Sequence, residues 1–467
     1  MRKKNLPLIP DLKITDAGAE GMAVGRHNDM VVFVPWAVPG DIADVQVTRR
    51  RKKYMDARIL SLTQPSELRA EPYCPHFGLC GGCRWQNMQY SAQLHYKEKW
   101  VYETLQRLGR FPMPPPLPIM GSDETRYYRN KLEYTFSDRR YLHAGENRED
   151  PETEVRGLGF HLPGRFDRIL DIEECWHQPH PSNDIRLSVR AFALQKGYTF
   201  QDLRSHSGLL RNLILRNNLD GDFMVIVVFS EYDKHAIRDL LEHIRTTFPA
   251  VRSLYYTINP KPNDSIHDLA LVHYSGEEVL YEQMDGLRFR IGPVSFFQTN
   301  ARQAQRLYRL VKEFAGLTGK EHVYDLYTGT GTIACYLAGN CQQVTGIEYV
   351  EDAVRDARIN ANLNGITNTR FFAGDMAKVL SPLFLQMYGA PDVIVTDPPR
   401  AGMHPEVVAQ ILAAGPARIV YVSCNPATQA RDVALLSEAY QVEIVQPVDM
   451  FPHTSHVENI MLLVKKG

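Results

Sequence analysis

The chain has 467 residues, 53 basic against 54 acidic side chains for a net charge of −1, 44% hydrophobic residues and 23% charged ones. That length exceeds one ordinary hydrophobic core, so two to four domains are expected. No apolar run is long enough to span a bilayer, and a balanced net charge gives no general sign of a nucleic-acid partner. The start, Met1-Arg-Lys-Lys-Asn5, is basic but no apolar run follows it, which argues against a signal peptide. Seven cysteines, an odd number, point to thiol or metal chemistry rather than a disulfide frame, and the cytoplasm is the expected compartment.

Charge is uneven near the N-terminus. Residues 1–60 hold 11 Lys and Arg against 7 Asp and Glu, with Arg49-Arg50-Arg51-Lys52-Lys53 consecutive. The run reads either as a solvated loop or as a phosphate-contacting patch. Short strand patterns at 31–34 and 42–47 flank the turn signal Val38-Pro39-Gly40-Asp41, which predicts a small OB-like β-barrel. With Glu20-Gly-Met-Ala-Val-Gly25 and Val38-Pro-Gly-Asp41 ahead of the basic run, this stretch resembles a TRAM domain, and that resemblance implies RNA binding.

Next comes Cys74-Pro-His-Phe-Gly-Leu-Cys80-Gly-Gly-Cys83, three thiols on a glycine-rich loop. A metal site wants a fourth ligand, for which Cys175 in Ile172-Glu-Glu-Cys-Trp176 is the best candidate, with His76 and His177 as competitors. Spacing alone leaves zinc and iron–sulfur both open. Five residues then two between cysteines does not match the three-then-two spacing of radical enzymes, which weighs against a radical methylthiotransferase.

A helix is expected at 91–108, followed by the proline-rich, extended connector Phe111-Pro-Met-Pro-Pro-Pro-Leu-Pro118. Thr125-Arg-Tyr-Tyr-Arg-Asn-Lys131 interleaves aromatic and basic residues before a strand at 132–136, a pattern that suits RNA or a solvated strand face equally. Residues 139–156 are charged and read as a mobile surface insertion; strands at 213–216 and 223–229 and a helix through Phe248 complete an α+β middle region.

From about Asp285 strands and helices alternate. Tyr324-Asp-Leu-Tyr-Thr-Gly-Thr-Gly-Thr332 follows a strand and opens a helix, so its glycines let backbone N–H groups approach a ligand. Glu348 closes the next strand, where a carboxylate accepts from ribose hydroxyls, and the absence of a full dinucleotide fingerprint favours a methyl donor over NAD. Asp375 follows the third strand and is placed to reach an adenine; Asp397-Pro-Pro-Arg400 ends the fourth on a stiff turn suited to holding a flat base. The apolar run 418–423 reads as a buried strand that stops at Cys424-Asn425-Pro426, so Cys424 lies at a carboxyl end, where α/β sheets bind ligands. Taken alone, Cys424 also fits a buried structural cysteine.

Phe297-Gln298-Thr-Asn300, Asp325-Leu-Tyr-Thr-Gly-Thr-Gly331, Asp397-Pro-Pro-Arg-Ala-Gly402, Ser423-Cys-Asn-Pro-Ala427 and His456-Val-Glu458-Asn together resemble the RNA uracil-5-methyltransferases that carry a TRAM domain and an iron–sulfur cluster. The resemblance implies a multi-domain chain: a TRAM barrel over 1–63, an α+β central domain with a metal cluster over 64–284, and a Rossmann-like class I methyltransferase domain over 285–467. It implies Cys424 as nucleophile and Glu458 as general base. It implies that Gln298, Tyr327, Glu348 and Asp397 contact S-adenosyl-L-methionine or the adjoining base, with Gly329, Gly331, Thr332 and Asp375 completing the cofactor set. Cys74, Cys80, Cys83 and Cys175 would hold a [4Fe-4S] cluster, although the long charged segment between Cys83 and Cys175 departs from the family pattern, as does Asp375 where some relatives have Asn. The implied partner is structured RNA, 23S ribosomal RNA before transfer RNA, acted on by a monomer away from membranes. The contrasting non-enzymatic reading is a metal-stapled RNA-binding module.

Overall fold

The alternating strands near the N-terminus close on themselves. In the computed structural model, which describes residues 6–467, β1 (Leu8–Ala17), β2 (Ala23–His27), β3 (Met30–Val34), β4 (Ile42–Arg50) and β5 (Tyr54–Gln64) form a closed barrel in the order β1-β2-β3-β5-β4. The basic start at residues 1–5 lies outside the described residues. Period-two burial fills the barrel: Val32 and Val34 from β3, and Ala43, Val45 and Val47 from β4, point inward. β1 is a strand that the sequence reading did not pick out, and register shifts between Ile9 and Leu12 and between Ile14 and Asp16 let it bend round the barrel.

The Val38-Pro-Gly-Asp41 turn closes the barrel. Gly40 has φ 97°, and the buried Asp41 carboxylate accepts from the backbone of Val38 (2.6 Å) and Ser66 (2.9 Å) and from Arg69 through Nε (2.8 Å) and Nη2 (2.7 Å). This motif is structural. The helix expected at 91–108 is α1 (Tyr90–Gly109), which ends on Arg110 in the left-handed region.

The described residues divide into two compact units: one takes the chain up to Gly78, residues 82–125 and Leu380–Gly467, the other Leu79–Gly81 and Arg126–Val379. In the second unit, β6 (Lys131–Ser137), β7 (Gly157–Leu162), β8 (Arg165–Leu170), β9 (Leu210–Asn217), β10 (Phe223–Phe229), β11 (Val251–Ile258) and β12 (Val272–Gly276) form a sheet in the order β12-β11-β10-β9-β6-β7-β8. β10 is buried along its whole length, as its unbroken apolar run dictates. α2 (Ser182–Gln195) and α3 (Lys234–Thr247) cover the sheet, and Asp233 caps α3 through the N–H groups of His235 and Ala236. The 139–156 segment is exposed at its middle but pinned at its ends, where the N–H of Arg140 donates to Val155 O and that of Tyr141 to Ile169 O.

The same unit continues with the hairpin β13 (Leu280–Met284)–β14 (Leu287–Ile291) and α4 (Ala301–Ala315). Then come β15 (His322–Leu326), α5 (Thr332–Ala338), β16 (Gln343–Glu348), α6 (Glu351–Leu363), β17 (Thr369–Ala373) and α7 (Met376–Val379). β15, β16 and β17 pair in parallel.

The chain then returns to the first unit with α8 (Pro382–Tyr388), β18 (Val393–Thr396), α9 (Pro405–Ala414), β19 (Arg418–Ser423), α10 (Pro426–Leu436), β20 (Tyr440–Val448) and β21 (Glu458–Lys465). β18 and β19 are parallel, and β21 runs antiparallel between β19 and β20. The proline-rich connector extends along β20, with Leu117 N donating to Val445 O (2.8 Å) and Met120 N to Pro447 O (3.0 Å). α1 is bolted to the segment before β21: Lys97 Nζ, fully buried, donates to Asp449 Oδ1 (2.6 Å) and Phe451 O (3.0 Å), and Tyr90 OH donates to Asp449 Oδ2 (2.8 Å). Among the described residues no helix is long and apolar enough to cross a membrane.

Candidate active site

Three elements of the first unit bring a thiol and two carboxyl groups together. β19 and β21 pair with Ser423 opposite Asn459, so one further step of the same antiparallel register sets Cys424 opposite Glu458. Asp397 follows β18, the strand parallel to β19. β19 stops where it does because Asn425 caps α10, its Oδ1 accepting from Ala427 N (3.1 Å), while Pro426 takes the first helical position. The Asn425 Nδ2 and Thr428 Oγ1 donate to Arg400 O (3.1 and 3.3 Å), tying the Cys424 loop to the Asp397-Pro-Pro-Arg turn. That turn needs a glycine at its end: Gly402 has φ 77°, and a Cβ there would lie 2.7 Å from Arg431 and from Asp432. Behind the thiol, Gln429 Nε2 donates to Tyr421 O (3.0 Å) and Asn459 O (3.2 Å), and Asn459 Nδ2 donates to Gln429 Oε1 (2.8 Å), so α10, β19 and β21 are locked in register.

The electrostatics of this corner are unfavourable by construction. Glu458 is 6% exposed; burial and then the nearby Asp397 push its carboxyl well above the usual range. Burial likewise pushes Asp397 up, to about 7. The pair therefore titrates as a unit and keeps a proton near neutral pH. Burial first, then Glu458 and Asp397, push the half-buried Cys424 thiol up to about 11, against a lowering pull from Arg400. The thiol is protonated at rest, with carboxyl groups beside it.

In the second unit the glycine turn presents backbone rather than side chains. Tyr327 (φ 63°), Gly329 (φ 55°) and Gly331 (φ 76°) are all in the left-handed region. A Cβ on Gly331 would lie 2.8 Å from that of Ala357, whereas one on Gly329 would meet nothing within 4 Å. The first glycine thus opens on free space and the second lets α5 pack against α6. Glu348, at the end of β16, accepts from Gly329 N (3.0 Å) and Val350 N (2.9 Å) and is held beside the turn. Thr328 Oγ1 donates to the buried Asp325 (2.5 Å), Asn360 Nδ2 donates to Thr330 O (2.9 Å), and the Thr330 and Thr332 hydroxyls lie 3.3 Å apart. Gln298 lies in the loop before α4, whose carbonyls accept from Asn130, at 2.9 Å for Gln298 O and 2.8 Å for Thr299 O. Asp375 is exposed after β17 and accepts from Ala377 N (3.1 Å), a helix-capping bond. The turn, Glu348 and the free space beside Gly329 suit a nucleoside with a charged tail, as S-adenosyl-L-methionine has.

The metal expectation fares differently. Among the described residues no group of three or more His, Cys, Asp or Glu side chains is arranged to hold a metal ion. The four cysteines divide two and two between the units. Cys74 and Cys83 belong to the first, where Gln86 bridges them, accepting from Cys74 N (3.2 Å) and donating through Nε2 to Cys83 Sγ (3.2 Å). Cys80 and Cys175 belong to the second, where Cys80 packs on the core that includes Cys175, and Asn183 Oδ1 accepts from Cys175 N (2.8 Å). His76 is buried in the first unit, and His177 packs edge-on to Tyr128 in the second.

Arg400 and Asn425 belong to the site although the sequence reading gave them no role. Both sit inside quoted motifs, so motif membership was the available signal, while their coupling through Arg400 O is visible only in three dimensions.

Known proteins resemble this chain in sequence and in fold. Residues 269–466 match the family described as tRNA (Uracil-5-)-methyltransferase, and residues 10–60 match the TRAM domain. The chain is 52% identical over 449 residues to an RNA methyltransferase of Bacteroides thetaiotaomicron, covering 95% of this chain and 99% of that one. It is 52% identical over 462 residues to an RNA methyltransferase of Porphyromonas gingivalis, covering 97% and 99%. The crystal structure of Pyrococcus abyssi tRNA (uracil-54, C5)-methyltransferase in complex with S-adenosyl-L-homocysteine superposes with a TM-score of 0.75 at 28% identity, covering 97% of this chain and 99% of that chain.

Proposed function

The chain belongs to the RNA (uracil-5-)-methyltransferase family, and from that membership we propose that it methylates C5 of a specific uridine in 23S ribosomal RNA through a covalent bond between Cys424 and C6 of the base. The observation that carries the proposal is the facing register of Cys424 and Glu458 beside Asp397. S-adenosyl-L-methionine supplies an electrophilic methyl group on a sulfonium. Tyr327, Gly329, Gly331, Thr332 and Glu348, with Gln298 and Asp375, are the residues that would hold it.

C5 of uracil is too weak a nucleophile to take that methyl directly. Cys424 Sγ adds to C6 as its proton leaves to the ionised member of the carboxyl pair, which passes it to solvent and is free to act as a base again. The ring electrons collect at C5 and O4. C5 then takes the methyl group. Glu458 removes the C5 proton, the C5–C6 double bond re-forms, and the C6–S bond breaks to return the thiolate, which recovers a proton. A protonated member of the Asp397–Glu458 pair donates a hydrogen bond to the base while charge builds on it. Burial raises both carboxyls, which suits both tasks, because a carboxyl held above its ordinary range keeps and passes on a proton more readily.

A [4Fe-4S] cluster on Cys74, Cys80, Cys83 and Cys175 is part of this reading. Its support is the cysteine spacing and one feature of the second unit. Arg186 is fully buried and feels the charge of Cys175, and its Nε lacks a partner, so an anionic sulfur there has a counter-charge. Iron and sulfide content of anaerobically purified protein, with its visible absorption, tests this separately from catalysis.

The Pyrococcus relative favours a second reading, a uridine in transfer RNA. Mass spectrometry of 5-methyluridine in RNA from a strain lacking the gene separates the two. Loss from 23S ribosomal RNA is expected. Loss from transfer RNA alone moves the assignment, and failure of the purified protein to transfer tritiated methyl to any RNA defeats both.

A further inference from the structure

One cleft of the first unit contains none of Asp397, Cys424 or Glu458. It has a volume of about 680 Å³ and opens between the outer face of the barrel and α1, both in the first unit. Because Val32 and Val34 fill the barrel interior, alternation turns Phe33 outward into this cleft; Trp100 of α1, half-buried, also lines it. The lining charges cancel, Asp16 and Glu103 against Lys99 and Arg107. Lys99 is already engaged, 2.6 Å from Asp16 and 3.7 Å from Glu103, so the interior holds no idle lysine for a phosphate. What remains is two aromatic faces with donor and acceptor groups around them, which is the chemistry of a nucleobase rather than of its backbone.

The backbone chemistry lies along the barrel from the same point. Phe33 meets Tyr54 edge-on at 5.6 Å, and Arg49 lies over the Tyr54 ring at 6.0 Å and donates to its hydroxyl (3.0 Å). Arg49 opens the exposed basic turn of Arg50, Arg51, Lys52 and Lys53. A strip therefore runs from positive charge to aromatic faces to a neutral pocket, the order in which a single strand presents phosphate and base.

We propose that this cleft binds one unstacked nucleobase of the RNA substrate, a second nucleotide distinct from the methylated uridine, against Phe33 and Trp100, with its flanking phosphates on the basic turn. The inference rests on the reading that RNA is the substrate. It gives the enzyme a way to select a loop in which two bases, rather than one, are free of their stack.

Ultraviolet crosslinking of the full chain to substrate RNA carrying 4-thiouridine, followed by peptide mass spectrometry, tests the site in the unaltered protein. Adducts on the peptides holding Phe33 or Trp100 are expected; adducts confined to other peptides, the basic turn alone included, overturn the proposal. In the kinetic arm, Trp100→Ala and Phe33→Ala should raise KM for RNA by about 5- to 100-fold while KM for the methyl donor and kcat stay put, with Trp100→Phe largely restoring KM. Unchanged KM for RNA in both alanine variants overturns it. A wild-type protein that methylates no RNA defeats the functional reading itself, and that outcome differs from methylation with silent variants.

Discussion

The glycine turn of the second unit and the thiol corner of the first solve opposite problems. The turn uses main chain: its strained φ values at Tyr327, Gly329 and Gly331 are matched by satisfied hydrogen bonds to Glu348, Asp325 and Asn360. The corner uses side chains, and its groups antagonise one another, since burial raises both carboxyls, Asp397 raises Glu458 further, and both raise the Cys424 thiol. The turn is held in place by its own hydrogen bonds; the corner holds carboxyls whose protonation depends on their surroundings. Strain in the first is steric and fixed, whereas strain in the second is electrostatic and responds to substrate and pH.

Breaking that contrast should be most costly at the thiol. Cys424→Ala is expected to reduce methyl transfer at least about a thousand-fold while leaving calorimetric binding of S-adenosyl-L-homocysteine intact, and RNA with 5-fluorouridine should attach covalently to the wild type alone. An adduct in the variant would remove Cys424 from the mechanism. Glu458→Gln should slow turnover by on the order of 10²–10⁴-fold and accumulate protein–RNA conjugate on a denaturing gel, because the methylated adduct can no longer lose its C5 proton. Normal release kinetics would reassign the base.

The two glycines sharpen the other side of the comparison. Gly331→Ala drives a Cβ into Ala357 and should lower stability by on the order of 2–3 kcal/mol and weaken donor binding. Gly329→Ala faces free space and should cost about 1 kcal/mol, its left-handed backbone alone, in a thermal melt. The smallest effect concerns pH. The raised Asp397 carboxyl means that the folded chain retains a proton that the unfolded chain has released, so stability falls as pH rises from about 4 to about 7. Asp397→Asn should therefore melt a few degrees above wild type at pH 8 and level with it below pH 4. A variant that is less stable at pH 8 would contradict the electrostatic account.

Much of this was legible in the chain. Strands with one mechanism of burial announce themselves: β10 and β19 are unbroken apolar runs, and their observed bounds coincide with the apolar stretches at 223–229 and 418–423. β1 escaped because Pro7 and Pro10 and two bulges break its alternation, leaving a burial pattern no simple period describes. The cap at Asn425 follows from its own sequence, but the coupling of Asp397 to Glu458 does not, because it depends on β18 and β21, far apart in the chain, flanking β19. For the same reason the cysteine spacing suggests a shared site yet says nothing of the division of the thiols between two units. Val38-Pro-Gly-Asp41, quoted for the TRAM resemblance that residues 10–60 bear out, carries in Asp41 a buried carboxylate staple for the barrel that the sequence reading did not anticipate.

The bond from Lys97 to Asp449 spans 352 positions of sequence. During synthesis the second unit has all its strands in hand while the first still waits for residues 380 onward, so α1 must leave a buried-to-be ammonium in water until Asp449 emerges. Translation that stops between Val379 and Asp449 yields a polypeptide whose glycine turn can mature but in which Cys424 is never set against Glu458. The order of synthesis thus completes the glycine turn before the Cys424–Glu458 corner.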